Sequence, residues 1–447
     1  MAQEAATKQE KKEAVKSHLK QHFKPYGFIR NYFTYDSRES WSGTGDLYNY
    51  QPKDVKLNEY GDDLNAQSTF RFLSLTTRLG LNITGYQWRG TEFGGKIEAD
   101  FYAGLSTKGT GTHSLSGVAQ FRLRQAYLTL GWDSLKMGKD YARVDLLIGQ
   151  SWHPMAADLC DAIALNSGAP FGPFNRSPQV KMDARLGKYV TLTAAGLWQM
   201  QYLSIGPDGQ SAEYIAYSKT PEAYLGLSVH DKGWLFRAGV DVLSIQPRHQ
   251  GAVYDAVLDK DVAVKVKDRI TTVSPFAYLQ YKKGDFSFKA KTIFAEAGEH
   301  MNMNGGYGVK AVNADGSYSY TPTRTSTSWI SIVYGGKVGA QEEKHPQKLQ
   351  GILFGGYVKN FGTKDELATK TDGSFYGYYY PRSSAMNQMW RLSPTLLYTV
   401  GKFQLGLEYE ITSVQYGDGK LDAHALSTNG LHWITNHRVQ LMTKYNF

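Results

Sequence analysis

Three shortages narrow the reading before any motif does. A single cysteine, Cys160, stands in 447 residues, so no intrachain disulfide can form and thiols say nothing of the redox compartment. The residue itself reads as a small buried hydrophobe and not as a reactive thiol. No window approaches the roughly 18 consecutive apolar residues that a spanning helix needs, although 41% of the chain is hydrophobic and its mean hydropathy is −0.43. That excludes a helical membrane protein. It leaves a large soluble β protein, or a β-barrel whose strands alternate too finely for hydropathy to register. Motifs that carry chemistry are missing too: there is no Walker loop, dinucleotide fingerprint, HExxH or CxxC, so no cofactor, metal or enzymatic activity is expected. His153 with Asp158 and Asp161 fits no standard ligand spacing. No signal-peptide pattern opens the chain, so export would mean that a leader has been removed.

What is abundant is tyrosine, at 31 residues, and aromatic girdles mark both interfaces of membrane barrels. The formal net charge of +9 comes from 50 Lys+Arg against 41 Asp+Glu. The basic residues are dispersed at strand spacing and form no patch, so nucleic acid is not an expected partner.

Residues 1–24 differ from everything after them: charged, free of glycine, with Val15, Leu19 and Phe23 at helical spacing. They predict a short N-terminal helix, periplasmic if the chain is a barrel, with an apolar stripe narrow enough to pair with its own copies as a coiled coil. Pro25 is expected to end it. From there to residue 447 the period is two. In Phe70–Tyr86, Leu73, Leu75, Thr77, Leu79, Leu81 and Ile83 fall on one face; in 96–103, Ile97, Ala99, Phe101 and Ala103 alternate with Lys96, Glu98, Asp100 and Tyr102. A sandwich and a membrane barrel share such alternation with inside and outside exchanged.

The connections choose between them. Sixteen strand-like segments are centred near Ile29, Leu79, Ala99, Leu123, Leu146, Met182, Leu192, Leu225, Val240, Ala277, Phe288, Ile332, Phe354, Leu392, Leu405 and Leu441. Tight links such as LGKY (Leu186–Tyr189), HDKG (His230–Gly233), KKGD (Lys282–Asp285) and VGK (Val400–Lys402) alternate with long ones. Segregation of loop length by parity is what a transmembrane barrel does. The last segment places Val439, Leu441, Tyr445 and Phe447 on one face and Arg438, Gln440, Met442 and Lys444 on the other, and ends on Phe447. A terminal aromatic strand of this kind resembles the signature that the bacterial barrel-assembly machinery recognises. The fold class predicted is therefore all-β, a 16-stranded antiparallel transmembrane β-barrel in the lipid of a bacterial outer membrane.

Sixteen strands leave an aqueous lumen, and parity assigns its wall. Arg78, Lys96, Arg122, Arg124, Lys181, Arg185, Arg237, Lys289, Lys291, Arg391 and Arg438 outnumber Glu98, Asp100, Asp183, Asp241, Glu408 and Glu410. Basic rings select anions. After Arg124 the alternation blurs, as a bulge would make it.

The connection 152–178 is too long for a turn and too apolar for disorder, with Trp152, Met155, Leu159, Ile163, Leu165, Phe171 and Phe174. It predicts a loop folded inward, anchored by Trp152, Leu159, Ile163, Phe171 and Phe174. Asp158 and Asp161 would supply negative charge at the narrowest point, facing Arg176, Lys181 and Arg185. Its place after the fifth strand matches the constriction loop of the trimeric general porins. TRLGLNITG (Thr77–Gly85), GGKIEADFY (Gly94–Tyr102), LRQAYLTL (Leu123–Leu130) and LLIGQ (Leu146–Gln150) resemble the early strands of DcaP-like porins, over about residues 70–190 and again in the closing strand. The resemblance implies a homotrimer, an N-terminal periplasmic helix and passage of small, often dicarboxylate-like, anions. The function expected is passive diffusion of small hydrophilic solutes with a preference for anions. The alternatives are a substrate-specific channel with a defined binding site or, behind that, an outer-membrane barrel enzyme.

Overall fold

The computed structural model describes residues 21–43, 48–74, 76–102, 120–137, 140–163, 168–339 and 346–447. The sixteen strands of the barrel wall begin with β1 (Phe23–Asp36), β2 (Thr69–Leu73, resumed as Arg78–Trp88), β3 (Thr91–Tyr102), β4 (Gln120–Met137) and β5 (Asp140–Trp152). They continue as β6 (Arg176–Leu186), β7 (Val190–Leu197), β8 (Glu222–Asp231), β9 (Trp234–Ile245), β10 (Ile270–Lys283) and β11 (Phe286–Glu296). The last five are β12 (Tyr318–Lys337), β13 (Gln347–Thr363), β14 (Met386–Val400), β15 (Phe403–Tyr416) and β16 (His432–Asn446). Each predicted centre falls inside one of them. Neighbours pair antiparallel in chain order, and β1 closes the sheet on β16 from Phe28↔Asn446 to Asp36↔Arg438.

Loop length segregates as expected. At one rim the strands turn in two or three residues, apart from the nine between β12 and β13, and Lys232 (φ 45°) with Gly233 (φ 90°) shows why these sequences suit the job, since such hairpins need positive φ at both positions. At the other rim the connections are long, and several carry structure of their own, such as the ribbon Gln250–Asp255 with Lys260–Lys265. Among the described residues no helix is long and apolar enough to cross a membrane. The wall's outer face does so instead: Leu128, Val180, Leu225 and Leu396 are exposed along mid-strand, with Trp88, Tyr189, Trp234 and Tyr334 near the turn rim and Phe70, Phe121, Phe361 and Trp433 near the loop rim.

Three local features depart from simple alternation. The bulge expected in β4 is present: register with β3 slips between Ala99↔Leu123 and Glu98↔Gln125, so Arg124 and Gln125 are both buried inside, and Leu128, not Tyr127, faces out. β2 is interrupted, contrary to the continuous stripe expected from Leu73 to Ile83. Leu73 is buried inside while Leu79 is exposed outside, because four residues between Leu73 and Arg78 oppose three on β1. Thr76, at φ 67°, turns inward there and accepts from Arg30 Nε at 3.1 Å and Nη2 at 2.6 Å.

The third departure concerns the N-terminal helix. Residues 1–20 lie outside the described residues, and Phe23 and Lys24, expected in the helix, already pair with Ile83 and Asn82 in β1. Pro25 is therefore a strand residue. It stands where β1 pairs with β2 only, since β16 begins its pairing at Phe28, so the missing N–H breaks no ladder bond.

The seam is packed to contact at Gly27. Phe447 N donates to Gly27 O at 3.1 Å, and a Cβ on Gly27 would lie 2.5 Å from both Arg78 O and the Phe447 ring. Gly27→Ala is expected to cost about 1–3 kcal/mol, seen as a lower temperature at which the folded, fast-migrating band on a detergent gel is lost.

Candidate functional site

The loop 153–175 leaves the wall after β5 and folds into the lumen, where backbone and side chains are tied to strands on the far side. Lys291 Nζ donates to Met155 O, Lys289 Nζ to Leu159 O at 3.1 Å, Ser331 Oγ accepts from Asp161 N at 3.1 Å, and Tyr32 OH donates to Ile163 O at 3.2 Å. Arg391 lies over the Phe171 ring at 5.0 Å and donates to Ala169 O at 3.3 Å and to Asn49 O at 2.5 Å, joining this loop to the first long loop. Apolar anchors complete the attachment. Met155 and Phe171 are fully buried, Phe171 packs on Phe354, Phe174 on Trp152 and Tyr48, and Ile163 beside Gly406.

Leu159, expected among the anchors, is 36% exposed, and Met155 takes that role. Leu165 lies outside the described residues. Cys160 sits on the same loop, and burial pushes its thiol up to about 12, so it presents no thiolate.

The two loop acids meet cations other than those expected. Asp158 pairs with Arg237 and lies 3.6 Å from Lys291; Asp161 pairs with Lys289 at 2.7 Å. Lys181 is held by Asp183 at 2.6 Å and Arg185 by Asp145 at 3.2 Å, both lower on the wall beside a cavity of about 240 Å³. Arg176 lies over the Trp152 and Phe174 rings at 4.9 and 5.6 Å. The reason is reach: the loop crosses to β9 and β11, while β6 stands at its own root. His153 joins neither acid; it bonds Glu222 at 2.8 Å.

Opposite the loop, the remaining predicted residues form a dense ionic wall. Arg124 bridges Glu98 at 2.8 Å and Asp100 at 2.6 Å, Arg122 clasps Asp100 with two bonds of 2.9 and 3.0 Å, and Arg78 lies 3.6 Å from Glu98. Arg438 makes the same two-point contact with Asp36, at 2.9 and 3.0 Å. Paired forks of this kind are the strong ones.

Between this wall and the loop roots lies a cavity of about 560 Å³ lined by Arg122, Arg176 and Arg382 with Trp41, Tyr50 and Tyr202. Arg382 donates to Asn302 and Asn304 side chains and to main-chain carbonyls, and stands over the Tyr50 ring at 4.4 Å. Neither Arg176 nor Arg382 has a carboxylate partner among the described residues. Arg382, Tyr50 and Tyr202 escaped the sequence reading because they sit on long loops, where period two assigns no face.

This geometry can be compared with known proteins. No family model matches the chain and no curated protein aligns with it. Among solved structures, the outer-membrane channel DcaP of Acinetobacter baumannii is similar over 95% of this chain and 97% of its own, at a TM-score of 0.63 and 20% identity. The chain has a porin fold. An anion-selective porin from Comamonas acidovorans is also similar, over 95% of this chain and 99% of its own, at a TM-score of 0.50 and 10% identity. The porin fold carries the early-strand resemblance seen in the sequence, and its closed wall with one loop turned inward is the frame on which the charges above are hung.

Arg124 is 2% exposed and serves two buried acids. Arg124→Met is expected to cost about 3–5 kcal/mol, because Glu98 and Asp100 are left short of countercharge. The measurement is heat resistance of the folded barrel on a detergent gel, and unchanged resistance would show that the wall tolerates the loss.

Proposed function

We propose that this chain is a passive diffusion channel of the bacterial outer membrane for small hydrophilic solutes, with a preference for anions that extends to dicarboxylate-like ones. The observation that carries the preference is the pair of guanidinium groups, Arg176 and Arg382, that line one cavity without a carboxylate partner among the described residues. Much of the rest of the lumen pairs its cations with acids, although Arg30 rests on Thr76 instead; the cavity also carries Glu299, whose carboxyl burial pushes up to about 7, and the guanidinium groups outweigh it, so that positive charge is left for a solute. Arg is suited to this, since its planar fork grips a carboxylate at two points.

The aromatic rings of Trp41, Tyr50 and Tyr202 around the same cavity support the second reading, a channel with a defined site for an organic anion. Saturable block by one solute class in single-channel recordings would favour that reading, and conductance indifferent to solutes would favour the general pore.

The reading includes a homotrimer embedded in outer-membrane lipid and inserted by the barrel-assembly machinery through the strand that ends at Phe447. Support for the trimer lies on the outer face at the seam. Asn31 accepts from Ser74 Oγ at 2.7 Å and reaches Thr443 Oγ1 at 3.5 Å, beside the interruption in β2. Polar side chains and a broken ladder are poorly tolerated against hydrocarbon; a second copy would cover both. Asn31→Arg is expected to abolish the trimer band on unheated gels while the monomer stays folded, and an intact trimer would move the interface elsewhere.

The anion preference is tested by the reversal potential in a salt gradient. Wild type is expected to favour chloride over potassium, and Arg382→Gln to lower that ratio by about threefold while Arg382→Lys keeps it. Cation preference in the wild type would sink the proposal.

A further inference from the structure

We propose that Phe28, Arg30, Arg78 and Lys444 form a seat for a compact, doubly charged oxyanion of the phosphate or sulfate kind, on the turn-rim side of the inward loop. This rests on the channel reading above. The seat shares no lining residue with the cavity of Arg176 and Arg382.

The register of the closing seam brings the cations together. Arg30 on β1 stands directly opposite Lys444 on β16, and Phe28, two residues before Arg30, stands opposite Arg78 on β2. All four fall on the lumen face, by the alternation that exposes their neighbours Ile29, Leu79 and Tyr445 outside. The Phe28 ring is the hub. The guanidinium carbons of Arg30 and Arg78 lie 4.9 and 5.0 Å from its centroid, and Lys444 Nζ lies 4.5 Å from it. Arg30 also lies over the Tyr32 ring at 5.0 Å, and Tyr32 OH is the group that holds Ile163 O of the inward loop. The cluster therefore sits one lumen-facing residue nearer the turn rim than a point where the loop touches the wall.

Its charge is not balanced from within. Like charges directly opposite on neighbouring strands repel, and Arg30 and Lys444 are such a pair. Arg30 spends Nε and Nη2 on the Thr76 hydroxyl, which is neutral. Lys444 makes no ion pair among the described residues; its partner is the Phe28 ring. Arg78 has one carboxylate, Glu98, at 3.6 Å. That acid is already bonded by Arg124 at 2.8 Å, Gln125 at 3.1 Å and Tyr26 OH at 2.7 Å, with Lys96 3.8 Å away. Asp100, the next acid along β3, is taken by Arg122 and Arg124. An aromatic face attracts cations but carries no net charge, so the ring gathers the three groups without neutralising them.

Charge that is partly covered needs a counterion. Arg30 Nη1 and Lys444 Nζ, with the Arg78 guanidinium beside them, offer the donors that oxyanions accept. Arg30 is already fixed between two rings and a hydroxyl, so an arriving anion has chiefly the lysine to order. Arg30 and Lys444 are the two charges without an acid, and a dianion matches them. An anion that has passed the inward loop would next be held here, before the turn rim.

The experiment follows heat resistance of the folded full chain on a detergent gel as inorganic phosphate replaces potassium chloride at constant ionic strength. Wild type is compared with Lys444→Gln, Lys444→Arg and Lys188→Gln, the last an exposed turn-rim lysine outside the seat. Phosphate is expected to raise the temperature at which the wild-type folded band is lost, saturably. Lys444→Gln is expected to start higher in chloride, because a like charge is gone, and to lose most of the phosphate response, while Lys444→Arg and Lys188→Gln keep it. No response in the wild type, an undiminished response in Lys444→Gln, or an equal loss in Lys188→Gln overturns the seat. An equal response to acetate overturns its preference for double charge. Should Lys444→Gln give no folded band, acylation of the wild type decides: phosphate must slow modification of Lys444 severalfold relative to Lys188, and equal slowing overturns the seat. Bilayer recording separates this from the channel reading. Phosphate is expected to lower wild-type conductance severalfold more than that of Lys444→Gln, whereas a wild type without conductance overturns the channel and leaves the gel result standing.

Discussion

Everything in this molecule depends on the closure of one sheet on itself. A strand exposed to hydrocarbon cannot leave backbone N–H and C=O groups unpaired, and the nine consecutive pairs between β1 and β16 remove the last open edge. Once the ring is closed, inside and outside are defined for every residue, and alternation by two sorts the chain into an apolar exterior and a charged interior. The few places where the ladder falters are informative for that reason. At the β4 bulge, two consecutive residues turn inward and Arg124 reaches two acids at once. At the gap in β2, Thr76 turns inward to meet Arg30.

The second constraint is electrostatic. A lumen of this width is wet, yet many of its charges are nearly covered, because loops crowd the interior. Charge buried in this way is tolerated when paired and hydrogen-bonded, and most of the wall obeys: Arg122, Arg124 and Arg438 each hold a carboxylate with good geometry. Against that compensated background, two arginines backed by aromatic rings and asparagine amides form a local positive field.

Much of the fold was legible in the sequence, because a barrel writes its architecture in period and parity. Sixteen centres, the tight and long rims, the β4 bulge and the inward loop all follow from local patterning. What was not legible required distance in sequence without distance in space. Asp158 meets Arg237 and Asp161 meets Lys289, partners 79 and 128 residues away, whereas proximity along the chain had suggested Arg176, Lys181 and Arg185. The site's Arg382, Tyr50 and Tyr202 lie on loops whose course no periodicity describes. Pro25 misled for a different reason: proline disfavours a paired strand, and only the stagger of the seam shows that it is paired on one side alone, with Leu81.

Cys160 gives the inward loop an internal clock. Its thiol is the chain's only one, stands one residue from Asp161 on the segment that narrows the lumen, and is kept protonated by its surroundings. While the loop lies on the wall, a thiol-directed reagent entering the lumen meets a partly covered sulfhydryl whose ionisation its surroundings suppress. Each excursion into water restores ordinary acidity, so the rate of modification rises with how often the loop leaves its seat. The native chain thus reports on its own inward loop without an introduced label.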